Sequence, residues 1–428
     1  MVRAVGTHFE YEDGTYYYPF GTTVYALAHQ EQSLIEQTLN ELAGSPFNKV
    51  RMCVFPKHYQ YNNNEPPYYP FEKRSDGTWD TARPVEAFWN HLEECILRLD
   101  AMEIECDLIL FHSYDNWGFA SMGREDNLRY LEYCLARLGH LDNVWWSLAN
   151  EYDFLLSEIS MDDWREIEEF VASHNPRGHL LSNHNCFLLW DMGRKNITHG
   201  SYQIKCLANV DRDIRKFHKP LCVDECCYEG NIPESWGSLS GEEMTARFWQ
   251  AIASGAYCTH GETFLDENDV LWWAKGGKLK GKSPERIGFL RKIVETFPAP
   301  LAPFSEDAAQ FMDNLPDEVK NDFMKTPAGK SFMMAVAQQD HDADVLMSAF
   351  EHEYKAQAED GSVLLIYLNQ RCQAVFDLNL PKGKTYKVEV IDTWNMTKST
   401  ASECAEENMR IKLPGRPYMA VLATETDN

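Results

Sequence analysis

Between about residues 17 and 298, short β-like runs alternate with helical patterns, and this alternation constrains the fold more than any other feature. Strands joined by crossover helices lie parallel, because each helix carries the chain back to the edge where the previous strand began. In order, the runs are "TTVYA", "NKVRMCVF", "ECDLILFHSYD", "VWWSLANEYD", "HLLSNHN", "GSYQIKC", "PLCVDECC" and "AYCTHGETF". Helical patterns such as "SLIEQTLNELAG", "VEAFWNHLEECILRLDAM", "NLRYLEYCLARLG" and "EEMTARFWQAIASG" separate most of them. Eight parallel strands close a barrel, so the expectation for residues 1–298 is a (β/α)8 TIM barrel in the α/β class. It is entered through a hairpin, "HFEYEDGTYYYPFG", that turns at Asp13-Gly14.

The pattern changes near "TFPAPLAPF", where prolines end the helical periodicity. Beyond it "KSFMMAVAQQ", "SVLLIYLNQ", "AVFDLNLP", "TYKVEVIDTW" and "YMAVLAT" read as strands without intervening helices, which predicts a small antiparallel β-sandwich domain over residues 299–428. That domain offers a surface for homo-oligomer formation. A long polar and aromatic loop, "KHYQYNNNEPPYYPFEKRSDGTWDTARP", follows the second strand, and loops of that length are commonly functional.

Charge narrows the choice of partners. The 428 residues carry 40 basic and 66 acidic side chains, a net −26, which repels phosphate backbones and anionic lipid heads. No run approaches the ~20 apolar residues of a membrane span, and the N-terminus lacks a signal-like apolar stretch. Neither nucleic acid nor membrane is expected as a partner. Twelve cysteines, irregularly spaced and mostly within apolar segments, read as reduced core thiols of a cytoplasmic protein. The dense pair Cys226-Cys227 has no second pair at zinc-site spacing.

In such a barrel the active site lies at the C-terminal strand ends, so the polar residues there are candidates by position. In strand order they are Arg51, then His112 and Asp115, then Asn150 and Glu151, then His184 and Asn185, then Tyr202 and Gln203, then Asp224, Glu225 and Glu229, and finally His260 and Glu262. A mouth lined with carboxylates, imidazoles and aromatics suits a neutral, hydroxyl-rich ligand, which makes a carbohydrate the expected substrate. Glu151 and Glu225, leaving the fourth and seventh strands, would face each other as the two carboxylates that flank a glycosidic bond do. Asn150 would hydrogen-bond a sugar hydroxyl beside the attacking group. Trp117 and "PPYYP" offer rings on which sugars stack. Glu229 is the rival nucleophile, its other role being to bind Arg51 or a hydroxyl.

These residues carry a resemblance. Asn150-Glu151 at the end of strand four, "KPLCVDECCYEG" from Lys219 to Gly230, and Arg51 after "NKV" resemble the acid/base, nucleophile and arginine positions of the large clan of retaining (β/α)8-barrel glycoside hydrolases. More narrowly, "PFGTTVYA" and the "YEG" of Tyr228 to Gly230 resemble the apiosidase-like group, whose members often carry a small C-terminal β domain. The resemblance implies Glu151 as acid/base and Glu225 as nucleophile, with no metal and no organic cofactor. It departs from the clan at strand eight, where the clan commonly offers a tryptophan and this chain has "THGETF"; Glu262 with Trp272 and Trp273 is expected to supply the platform instead. The same residues also fit two other readings: a carbohydrate-binding barrel without turnover, and a metal-dependent hydrolase using His112, His184, His260 and Glu225.

Overall fold

A computed structural model describes residues 1–265, 270–304, 317–338 and 353–426. The barrel strands are β1 (Phe20–Thr23), β2 (Lys49–Cys53), β3 (Glu105–His112), β4 (Val144–Asn150), β5 (Leu181–Ser182), β6 (Gly200–Gln203), β7 (Leu221–Glu225) and β8 (Tyr257–His260). They form one eight-stranded parallel sheet in the order β5-β4-β3-β2-β1-β8-β7-β6, and a parallel bridge between His184 and Ser201 joins its two ends. Helices α1 (Gln32–Gly44), α2 (Glu86–Asp100), α3 (Arg124–Leu138), α4 (Met161–Ser173), α5 (Val210–Phe217), α6 (Gly241–Ile252) and α7 (Ser283–Val294) surround it. Their cores explain the fit: α2 buries Phe88, Trp89, Leu92, Cys95, Ile96 and Leu99, one apolar face at helical spacing. Ser160 caps α4 through a reciprocal capping box with Asp163. The hairpin at Asp13-Gly14 pairs His8–Tyr11 with Tyr16–Tyr17, and a further strand, Val2–Val5, extends it to three. Phe9 of this small sheet packs against Trp145 and Tyr257 and so closes the lower end of the barrel.

The barrel interior holds charge instead of the usual apolar layers. Lys49 Nζ donates to Asp107 at 3.0 Å and to Asp224 at 2.7 Å, while Ser201 and Thr259 donate to Asp224 at 2.6 and 2.7 Å. The Arg51 guanidinium, two residues along the same strand, lies 3.3 Å from Asp107. Burial opposes ionisation of Asp224, yet Lys49 and Arg51 hold its carboxyl well below the usual carboxylate range.

The C-terminal sheet contains β9 (Leu301–Pro303), β10 (Tyr354–Ala358), β11 (Val363–Tyr367), β13 (Tyr386–Asp392), β14 (Thr397–Ala405) and β16 (Met419–Glu425), and is antiparallel throughout. A ribbon of β12 (Val375–Leu378) and β15 (Met409–Lys412) covers one face, and Leu378 and Ile411 share its core with Leu364, Ile366 and Val421. The segment "KSFMMAVAQQ" is a correction: Pro327–Gln338 is a helix. Its signals were present, since Pro327 takes the first helical position and the Thr326 hydroxyl accepts the Gly329 N–H at 3.0 Å. Among the described residues no helix is long and apolar enough to cross a membrane.

The other face of the C-terminal sheet is fused to the barrel. Trp249 of α6 stacks on Tyr367 at 5.9 Å, Arg286 lies 4.4 Å from the Trp394 ring, and one apolar cluster runs from Trp249 and Phe297 through Val363, Leu365 and Leu422. Removing residues 300–428 is therefore expected to leave an aggregating barrel with little soluble yield. A monodisperse truncated barrel with the melting temperature of the full chain would contradict the shared core.

Candidate active site

Glu151 leaves β4 with a left-handed backbone, φ 54° and ψ 58°. In an extended strand successive side chains point to opposite faces, but this turn lets Asn150 and Glu151 both address the mouth. Asn150 Nδ2 donates to Glu151 Oε2 at 3.1 Å. Glu151 Oε1 accepts from Gln203 Nε2 at 3.1 Å, and its Oε2 accepts from the Tyr114 hydroxyl. Asn185 fixes Gln203 by bonding both its N–H and its carbonyl, at 3.1 and 3.2 Å.

Glu225, at the end of β7, accepts from the Tyr25 hydroxyl and lies 4.0 Å from Arg51 Nη1. Its side chain retains 11% exposure. His184 links the two carboxylate residues: its Nδ1 accepts the Glu151 N–H at 3.3 Å and its Nε2 is 3.9 Å from Glu225 Oε1. Burial holds this imidazole well below its ordinary pKa, so it is neutral. Burial, and then the charge of Glu151, push the Glu225 carboxyl up to about 7 against Arg51, Lys57 and Tyr25. One proton therefore belongs to the pair near neutrality.

Lys57, from the long loop after β2, was not legible as a site residue. Its Nζ lies 3.4 Å from the centre of the Tyr25 ring and 4.2 Å from that of Tyr114, the two rings whose hydroxyls bond the carboxylates. Tyr59 and Trp273 complete the cage at 5.2 and 5.8 Å. Tyr61, Trp236 and Trp273 are in mutual edge or tilted contact, Tyr59 meets Trp273 edge-on, and Tyr61 donates to Glu234 at 2.6 Å. An aromatic wall thus stands over β1, β2, β7 and β8.

Other positions predicted to bind substrate divide into two groups. His112 is buried and bonds the Phe55 carbonyl at 3.1 Å, while Trp117 sits half-buried on the rim with its indole N–H on Glu65 at 3.0 Å. Tyr202, His260, Trp272, Glu229 and Glu262 are corrections. Because Ser201 points inward to Asp224, strand alternation turns Tyr202 outward, where its hydroxyl meets Asp213 at 3.1 Å; a register shift then brings Gln203, not Tyr202, to the mouth. Thr259 likewise points inward, so His260 faces out, stacked on Phe47 and 3.0 Å from Thr22 Oγ1. Trp272 donates to the same Thr22 oxygen at 2.8 Å, and the next residue, Trp273, supplies the platform. Glu229 accepts from Lys282 and Ser283 N–H at 2.8 and 3.0 Å, and Glu262 accepts from Lys280 and Gly281 N–H at 2.5 and 2.8 Å. Both carboxylates anchor the turn into α7.

Glu229, His260 and Glu262 offer ligand atoms within 4.8 Å of one another, the geometry a metal would need. With both carboxylates engaged by backbone donors, this trio fits a turn better than an ion. His260 faces away from His112 and His184, so the structure does not bring the proposed histidine ligands together.

The mouth also concentrates buried polar atoms that lack a hydrogen-bond partner among the described residues. Asn150 Oδ1, His184 Nε2, Gln203 Oε1, the Tyr59 and Tyr228 hydroxyls and the Trp273 N–H are such atoms, and all line or adjoin the carboxylate pair. Buried polar groups are seldom left unpaired, and a cluster of mixed donors and acceptors matches a polyhydroxylated ligand.

Residues 4–299 match a family model described as apiosidase-like, catalytic domain, and residues 352–424 match a domain of unknown function, DUF5605. The crystal structure of a "putative glycoside hydrolase" from Bacteroides vulgatus ATCC 8482 shares 33% identity over all of this chain and 82% of its own, with a TM-score of 0.81. A glycoside hydrolase family 5 structure from the same organism shares the fold, with 14% identity, a TM-score of 0.68, and coverage of 99% of this chain and 93% of its own. No curated protein sequence matches.

Proposed function

Since the chain belongs to the apiosidase-like family and is a glycoside hydrolase, we propose that it releases sugars from the ends of β-linked glycosides by double displacement with retention. The observation that carries this reading is the placement of Glu151 and Glu225. They leave the fourth and seventh strands, each is held by a tyrosine hydroxyl, and the ring of His184 lies between them. Double displacement calls for carboxyl groups about 5 to 5.5 Å apart, too close for an attacking water to enter, so that one of them attacks the anomeric carbon itself.

Glu225 is the nucleophile by its place at the end of β7; burial and the charge of Glu151 raise its pKa, and Arg51, Lys57 and Tyr25 partly offset that rise, so the pair shares one proton and reacts when that proton sits on Glu151. Glu151 is the acid, protonating the departing oxygen and later deprotonating the water that opens the glycosyl-enzyme. Asn150 and His184 bind hydroxyls of the sugar. The aromatic wall over four of the eight strands supports a pocket closed on one side, and hence exo action. Screening p-nitrophenyl glycosides, apiosides included, followed by NMR of the first product formed, tests the reaction; an inverted anomer would refute double displacement.

Two further results are expected. Glu151→Ala should retain far more activity on glycosides with acidic phenol leaving groups than on those of alcohols, with about 10²- to 10⁴-fold lost on the latter. An equal loss on both would point to another acid.

The kcat/KM profile should be a bell, because only the singly protonated pair reacts. Its alkaline limb should fall near the value of about 7 to which Glu225 is pushed. Lys57 lowers that value, so Lys57→Met should move the alkaline limb upward, as loss of a nearby cation makes the pair hold its proton more tightly. A limb that stays fixed or moves downward would remove Lys57 from this role.

A further inference from the structure

On the side opposite the aromatic wall, two copies of one tripeptide meet. Phe154-Leu155-Leu156 follows β4 three residues after Glu151, and Phe187-Leu188-Leu189 follows β5. Phe187 is 83% exposed, Leu188 50%, and Phe154, Leu189 and Leu156 between 38% and 42%. The two phenyl rings contact at 5.5 Å, which makes one apolar ridge of side chains that would singly need no explanation.

The ridge is built, not loose. Asp153 accepts the N–H groups of Cys186, Phe187 and Leu188 at 2.7, 2.6 and 2.8 Å, fixing the second tripeptide to the first. It is also continuous with the site: Gln203 Nε2, which donates to Glu151, lies 3.5 Å from the sulfur of Cys186, the residue before Phe187. A preorganised apolar surface beside the acid lies where the leaving group departs.

We infer that this ridge is the aglycone subsite, and that the leaving group for which the enzyme is shaped carries an apolar aryl or alkyl face. The inference rests on Glu151 being the acid. In the step concerned, the bond from the anomeric carbon to the aglycone oxygen breaks as a bond from that carbon to a Glu225 oxygen forms. The broken bond's electron pair stays on the aglycone oxygen, which takes the proton of Glu151 and leaves as a neutral alcohol or phenol. Phe187 and Leu188 would hold the apolar body of that molecule while its oxygen faces Glu151.

The test uses the full chain and the Phe187→Ala, Leu188→Ala double variant, with phenyl and 2-naphthyl glycosides of whichever sugar is turned over. These two phenols are of nearly equal acidity, so a difference in rate reports binding of the ring system and not leaving-group chemistry. Wild type is expected to favour the naphthyl glycoside in kcat/KM by about tenfold and the double variant by less than about twofold. Inactivation by the 2-fluoro glycosyl fluoride of the same sugar, which has no aglycone body, should be unchanged. A preference that survives the double substitution overturns the proposal, as does an equal fall in inactivation.

Saturation-transfer NMR with 2-naphthol reads the ridge without turnover. A transfer signal that is present in wild type and vanishes in the double variant supports the subsite even if no label forms on Glu225, whereas a signal of equal strength in both refutes it. If sedimentation shows a dimer that the double variant abolishes, the ridge is an interface between copies of the chain and the proposal falls.

Discussion

Replacement of Glu225 by alanine is expected to reduce turnover by four orders of magnitude or more, on the order of the losses seen when a covalent nucleophile is removed. The loss should fall on kcat with substrate binding largely retained, since Asn150, His184 and Gln203 keep their places. Azide added to the variant should restore part of the rate by occupying the space of the carboxylate, and should yield a glycosyl azide of the opposite anomeric configuration. In wild type, a 2-fluoro glycoside of the accepted sugar should label the peptide containing Glu225. A label on Glu229 is not expected, because both of its oxygens accept from the turn at Lys282 and Ser283. Finding it there would require a different path of the chain after β7.

The second large effect concerns stability. Asp224→Asn would leave Lys49 and Arg51 buried in the barrel with Asp107 as their main counter-charge, and breaking a buried pair from one side costs about 3–5 kcal/mol. For a chain of this size the midpoint of thermal unfolding should fall by about 3–6 °C. The sign with pH follows from the lowered pKa of Asp224. Its contribution is present above the unfolded carboxyl's pKa and is lost only as pH falls toward the folded value, so the cost should be constant through neutrality. Removing the cation as well, in Lys49→Met with Asp224→Asn, should recover part of the loss. A single variant as stable as wild type would show that the network adds nothing.

The barrel, and the two strand-end carboxylates proposed as its catalytic pair, were legible because both rest on local pattern. Alternating periods mark strands and helices, and a carboxylate that ends an apolar strand has to serve a site or find a partner. Facing was less legible. Tyr202, His260 and Trp272 sit where strand ends or turns begin, and which way each points depends on a one-residue register set by hydrogen bonds to Asp224 and Thr22. Sequence alone does not carry that register. Lys57, Tyr25 and Tyr114 were missed for another reason. They lie on loops, and their cage exists only when three separate strand-end segments converge. Glu229 and Glu262 had the right chemistry for sugar binding but are held by a turn more than fifteen residues downstream.

The left-handed backbone at Glu151 has an evolutionary side. For any residue with a Cβ that conformation costs roughly 1–2 kcal/mol, and glycine would adopt it freely. At this position a residue chosen for conformational ease would not be glutamate, so the carboxylate is kept against the local preference of the chain. With Glu151 as the acid proposed above, drift toward greater thermal robustness would run through loss of catalysis here, and a relative that had abandoned turnover would be expected to show glycine or asparagine at the end of its fourth strand.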